Sequence, residues 1–152
     1  MPFTPDDDRA VRNLLGRFGA LIDARDWDAY EGLFADAVAF DYAAAGFLAE
    51  SLAPGAIRAD ASRVMGALDA TQHLMGSVVI EPEPGGDAAE VAAQSRAMHL
   101  YADASGGDWY EQGGRYDGTV RRAGGRWVIA RWRFRPLWAR GNARLIAQAT
   151  GG

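Results

Sequence analysis

Two histidines, five tyrosines and a scatter of acids hold whatever proton chemistry this 152-residue chain can perform. Cysteine is absent, which removes disulfides, thiolate metal sites and cysteine nucleophiles together. All sixteen basic residues are arginine, so Schiff-base chemistry and a phosphate-loop lysine are excluded too. No HxH, HxxxH or HExxH spacing occurs, so no metal site is expected. There is no GxSxG elbow, and the glycine pairs sit between strands instead of opening a helix. What remains is acid–base work by imidazole, carboxylate and phenol, which needs no cofactor.

The candidates fall in separate segments. Gly16, Gly19, Ala20 and Asp23 recur at i, i+3, i+4 and i+7, which puts them on one helix face. Each mid-helix glycine costs about 1 kcal/mol relative to alanine, so two on one face ask for a reason. That reason is either close approach of another element or ligand, with Asp23 at the end of a groove, or an exposed face shared with Arg12. His73 alternates with Met75, Ser77 and Val79 on a strand, where a lone histidine reads first as a satisfied core residue and second as a base. His99 shares a face with Ala93, Ser95 and Ala97, small side chains that leave room for a cavity. Tyr110, Gly114, Tyr116 and Gly118 repeat that arrangement one strand later, and Trp132 and Phe134 follow on the last strand. Alternation alone does not decide which face looks inward, because a single bulge exchanges them.

The elements that must position these residues are legible as a pattern. Thr4-Pro5-Asp6-Asp7 is a helix start, and Val11, Leu14, Leu15, Phe18, Leu21 and Ile22 form its apolar stripe. Asp26 can cap a short second helix carrying Trp27, Tyr30, Leu33 and Phe34. Val38 to Tyr42 alternates as a first strand, with Phe40 and Tyr42 on one face. Residues 43–55 read as a loop and 56–68 as a helix. Four strands are expected at 72–83, 90–102, 109–122 and 126–138, separated by glycine-rich hairpins. Helices first and an antiparallel meander second is an α+β order, with helices on one side of a curved sheet. No domain boundary is evident, so residues 1–152 form one domain with a core at about 6–140 and a tail at 141–152.

Composition bounds the partners. The formal net charge of −4 argues against nucleic acid, and no apolar run is long enough for a membrane span. The acidic first residues do not resemble a signal peptide, which makes a cytoplasmic location the expectation. Trp127 and Ile129 fall by alternation on the same face as Arg131, Arg133 and Arg135. That face is too apolar to stay solvated, so a homodimer or higher oligomer packed through it is expected.

Several short segments, in order, resemble the SnoaL-like domain of the nuclear transport factor two superfamily, which includes relatives of scytalone dehydratase, ketosteroid isomerase and polyketide cyclase. They are Leu21-Ile22-Asp23-Ala24-Arg25-Asp26-Trp27, Leu33-Phe34-Ala35-Asp36, Thr71-Gln72-His73-Leu74-Met75-Gly76-Ser77, and Gly114-Arg115-Tyr116 running on to Gly125-Arg126-Trp127-Val128-Ile129. The resemblance covers most of residues 6–140. It implies a cone-shaped, cystatin-like α+β barrel: a curved mixed sheet wrapped on a long N-terminal helix around an apolar pocket. It also implies that Asp23 pairs with His73, that Tyr42 faces the same pocket, and that His99 matches a second active-site histidine of scytalone dehydratase. Phe18 stands where the lindane dehydrochlorinase has lysine and bile acid dehydratases have tyrosine, which argues against dehalogenation and steroid-sized substrates.

Given that pairing, Asp23 would fix the tautomer of His73 and stabilise its imidazolium while His73 takes a proton next to a carbonyl. Tyr42, aided by His99, would hydrogen-bond the developing enolate. Phe18, Phe40, Met75, Tyr116, Trp132 and Phe134 would line an apolar pocket for a cyclic or polyketide-like small molecule. Dehydration, isomerisation and aldol cyclisation all fit. A polyketide cyclase using Asp23 alone, and a non-catalytic binding domain, are the two other readings.

Overall fold

A computed structural model describes residues 1–47 and 49–152. Helix α1 spans Pro5–Ala24 and starts where the sequence places it, with Thr4 and Asp7 closing a reciprocal capping box. Asp7 does more than cap. It is buried, and it accepts from the Arg122 guanidinium at 2.6 Å and the Trp127 indole N–H at 3.0 Å, tying the helix start to the far end of the sheet. The Arg122 bond holds its carboxyl well below the usual range, with the Thr4 and Trp127 bonds adding to it.

The Asp26-capped helix α2 is only Trp27–Glu31, because Phe34 already begins strand β1 (Phe34–Asp41). Strand β2 (Ala49–Leu52) lies inside the expected loop and pairs antiparallel with β1. Helix α3 is Pro54–Met65. The meander follows as β3 (Ala70–Pro82), β4 (Ala88–Leu100), β5 (Trp109–Ala123) and β6 (Arg126–Gly141). The six strands run in the order β2-β1-β6-β5-β4-β3, and β1 is parallel to β6, so the sheet is mixed. Helix α1 packs across it, burying Val11, Leu14, Leu15, Phe18 and Ile22 against Val120, Ile129 and Trp132. The expected tail instead carries a short helix α4 (Leu145–Ala149) with Leu145 fully buried. Among the described residues no helix is long and apolar enough to cross a membrane.

Bulges decide the faces. Thr119 pairs with Arg131 but Val120 pairs with Ile129, so Ala130 is an extra residue on β6. The alternation reverses there, and Trp127 and Ile129 turn into the core while Arg131, Arg133 and Arg135 stay outside. The expectation that Trp127 and Ile129 share the arginine face is therefore corrected. The exposed apolar surface on β6 lies further on, at Leu137 and Trp138. A second bulge at Ser77 and Val78, with Ser77 at φ 46°, reverses β3, so Val79 is exposed while Val78 and Ile80 pack on the core.

The two helix glycines prove unlike each other. A methyl group on Gly19 would sit 2.9 Å from the His73 Cβ and 3.3 Å from the Met75 Cγ, whereas one on Gly16 would meet nothing. Gly19 is thus the close approach of α1 to β3, and Gly16 is an exposed position without that reason. Gly16→Ala should stabilise the fold by about 0.5–1 kcal/mol, raising Tm by about 2–4 °C. Gly19→Ala should instead cost about 1–3 kcal/mol, because the methyl group overpacks against a Cβ that cannot swing aside. Paired thermal melts of the two variants check this, and a stabilised Gly19→Ala would contradict the packing.

Candidate active site

The approach of α1 to β3 at Gly19 leaves Asp23, one turn later, facing the start of β3. Its carboxylate takes three donors from that strand. The Thr71 hydroxyl donates to Oδ1 at 2.9 Å, the His73 backbone N–H to Oδ2 at 2.7 Å, and the His73 ring Nδ1–H to Oδ1 at 2.7 Å. A carboxylate can only accept, so Nδ1 carries a proton, which in the neutral ring leaves the lone pair on Nε2. Burial pushes the Asp23 carboxyl upward, but the bonds from His73 and Thr71 outweigh it and leave it below its ordinary value. It is an anion at neutral pH. The His73 side chain is 4% exposed and that of Asp23 21%, so the imidazole screens the carboxylate from one side.

His73 lines a cavity of ≈ 80 Å³ between the sheet and helices α1, α2 and α3. Pockets for drug-sized ligands typically run to about 300–1,000 Å³, so the chamber suits a small ring without rearrangement. Of the residues expected to line it, Phe18, Phe40, Tyr42, His73, His99, Tyr116 and Phe134 do. Asp23 lies behind His73 and forms no part of the wall. Met75 is corrected as well: its side chain packs against α1 at Gly19. So is Trp132, which is fully buried beneath Phe18 and Tyr116, with ring centroids 5.1 and 5.0 Å away.

Tyr42 follows the end of β1 and stacks on Phe40 with centroids 4.4 Å apart. Burial pushes its phenol far above 10, and pushes that of Tyr116 up to about 12. Both are neutral donors at physiological pH. The indole N–H of Trp132 is buried without a hydrogen-bond partner.

His99 is a surprise in its tautomer. Its ring lies 5.9 Å from that of His73, edge to face, and it is 2% exposed. Nδ1 is 3.1 Å from the Tyr110 carbonyl oxygen, which can only accept, so Nδ1 carries the proton. Nε2 is then an acceptor. Burial pushes the imidazole down to about 4, so it is neutral at pH 7 and does not donate from Nε2 to a carbonyl. The expectation that His99 polarises an enolate is revised on that ground.

Sequence reasoning missed part of the wall. Ile57, Asp60, Ala61 and Val64 line it from α3, a set legible as helical spacing once α3 is known to face the sheet. Ile146 of α4 also lines it, with no signal in a segment that reads as a tail. Thr71, beside the expected pair, completes the Asp23 clamp. Among the described residues no group of three or more His, Asp or Glu could hold a metal ion.

The SnoaL-like domain matches residues 4–133, most of the chain. The chain belongs to the SnoaL-like domain family. No curated protein matches it. Solved structures do. A Kribbella flavida protein superposes with TM-score 0.83 at 21% identity, covering 93% of this chain and 97% of its own. A candidate scytalone dehydratase from Novosphingobium aromaticivorans gives 0.78 at 20%, covering 90% and 87%. A Nostoc punctiforme protein with a cystatin-like fold gives 0.70 at 15%, covering 90% and 96%. At these identities the likeness is one of fold, and it agrees with the curved six-stranded SnoaL-like sheet described above.

The His99 state has a measurable consequence. Its folded pKa near 4 lies below the unfolded value of about 6.5. Between those values the unfolded chain holds more protons, so this group's effect is a stability that falls as pH drops from about 6.5 to 4. Nitrogen-15 spectra of the rings should keep His99 neutral with Nδ1–H down to pH 5. Protonation of His99 near pH 6.5 would refute the burial-held neutral state, and a neutral ring protonated on Nε2 would refute the tautomer.

Proposed function

We propose that the chain is an enzyme of the dehydratase and isomerase type, removing a proton next to a carbonyl of a small cyclic substrate. The observation that carries this is the 2.7 Å bond from His73 Nδ1 to Asp23 Oδ1, made by a ring that opens onto an apolar cavity. His73 Nε2 is the base. Asp23 is a positioning residue: it holds the tautomer and offsets the charge of the imidazolium formed when the proton arrives. Tyr42, a neutral phenol on the same cavity, donates to the carbonyl oxygen as enolate charge develops, and Tyr116 stands beside it. The likeness in fold to a candidate scytalone dehydratase is consistent with this reading. No step calls for a metal or organic cofactor.

The cyclase alternative, with Asp23 as the working acid or base, is less well supported, because all three bonds to its carboxylate come from β3 and His73, not Asp23, lines the cavity. Deuterium exchange into 2-tetralone separates the readings. Wild type should exchange the ring protons next to the carbonyl above the buffer rate. His73→Ala should lower that by about 10²-fold or more, and Asp23→Asn should do the same without adding to it. Tyr42→Phe should cost about 10²-fold, since His99 does not donate in its place. Exchange at the wild-type rate in His73→Ala removes His73 from the mechanism. Loss in Asp23→Asn alone would favour the cyclase.

A further inference from the structure

The polar groups on the cavity wall are unbalanced in sign. None of the sixteen arginines lines it, although Arg115, Arg131, Arg133 and Arg135 crowd the outer face of the sheet. The sole carboxylate or guanidinium on the wall is Asp60, on the same stripe of α3 as Ile57, Ala61 and Val64. An acid in that stripe has no packing reason to be there, since its neighbours at i−3, i+1 and i+4 are apolar. Its side chain is 26% exposed, and its one ion pair is to Arg63 at 3.0 Å, itself 61% exposed and turned to solvent. The field of Asp60 nonetheless reaches inward: after burial and Tyr116, it is the further cause that raises the Tyr30 phenol, a side chain on the same wall.

The other wall groups do not offset it. His99 presents a lone pair, as argued from the Tyr110 carbonyl. Any proton on His73 is matched by the Asp23 anion bonded to it. The remaining polar groups are uncharged hydroxyls and an amide. A ligand carboxylate or phosphate would meet the Asp60 carboxylate with no cation on the wall, since its partner Arg63 faces solvent, in a site where water screens poorly.

We infer that Asp60 is a specificity-determining residue that restricts the cavity to neutral or cationic ligands bearing hydrogen-bond donors, and turns away carboxylates and phosphate esters. This rests on reading the cavity as the ligand site, and it deepens the proposed function by naming a substrate class: a cyclic hydroxy-ketone or amino-ketone, not an acid or a phosphorylated metabolite.

The test uses three probes of one size, 2-naphthol, 2-naphthylmethylamine and 2-naphthoate, titrated at pH 7 into the full-length chain and followed by naphthalene fluorescence. Wild type should bind the neutral and cationic probes and hold naphthoate at least tenfold more weakly. Asp60→Asn keeps the shape and removes the charge, and should narrow that gap by about fivefold, the size of a single charge acting over several ångströms at intermediate dielectric. Arg63→Ala strips Asp60 of its partner and should widen the gap. Circular dichroism establishes that both variants are folded. Equal binding of naphthoate and naphthol by wild type overturns the inference, as does a gap unchanged in folded Asp60→Asn. Failure of all three probes to bind overturns it too, since no ligand then enters this cavity. Deuterium exchange reports separately on His73. A chain that sorts probes by charge yet exchanges no protons keeps this inference and loses the catalytic one, and the reverse result does the opposite.

Discussion

The Asp23 carboxylate is the joint on which the site depends. It is the last polar group of α1, and all three of its donors belong to β3, an edge strand of the sheet. An edge strand has hydrogen-bonding partners on one side only, so its position over the helix must be set by side chains. Gly19 lets the helix come close, and Asp23 then binds a hydroxyl, a backbone N–H and a ring N–H within three consecutive residues. Two of those bonds orient the strand and the third orients the imidazole. The same anion therefore serves packing and the orientation of the imidazole. Replacing it by an amide would keep one acceptor oxygen but set an NH2 against one of the β3 donors, and would remove the negative charge beside the ring.

Much of this was legible in the residues, and the rest was hidden for identifiable reasons. Helix α1, its capping box and the four long strands follow from periodicity and hairpin glycines, which are local signals. The β4 face of Ala93, Ser95, Ala97 and His99 needed no correction because that strand has no bulge before β5. The faces of Ile129 and Val79 were misread where one extra residue, Ala130 or the Ser77–Val78 pair, reverses the alternation without changing composition. Strand β2 is too short and too exposed to show a pattern. The pairing of Asp23 with His73, fifty residues apart, came from resemblance; periodicity offered only two faces of unknown partner. The tautomer of His99 could not be read at all, because it depends on which backbone carbonyl the β5 register sets beside Nδ1.

The two histidines make a physical contrast. Both rings are nearly buried, both lend Nδ1–H to an acceptor, and both line the same chamber. The difference is the acceptor. His73 leans on an anion that can stabilise a positive ring, whereas His99 leans on a neutral carbonyl that offers little compensation for charge. Burial then dominates at His99 and holds it neutral. One imidazole can accept a proton and keep it during a reaction, and the other is restricted to accepting hydrogen bonds. Equivalent residue types thus acquire separate roles from what stands behind them.

Charge is sorted between the two faces of the sheet by the same logic. On the outer face Asp117 gathers Arg133 at 2.9 Å, Arg131 at 3.4 Å and Arg135 at 3.6 Å. Burial pushes its carboxyl upward, but these guanidiniums outweigh that and hold it below the ordinary range. The buried carboxylate thus holds three partly exposed guanidiniums on the face where water solvates them. On the opposite face of the sheet Tyr116, Trp132 and Phe134 stack into an aromatic layer with no cation in it. The bulge at Ala130 is what makes this division possible. Without the extra residue, the strand that buries Trp127 and Ile129 would drive Arg131 and Arg133 into the core and leave Trp132 in water. The aromatic side of the chamber, with the arginines kept to the opposite face of the sheet, is the consequence of that one inserted alanine.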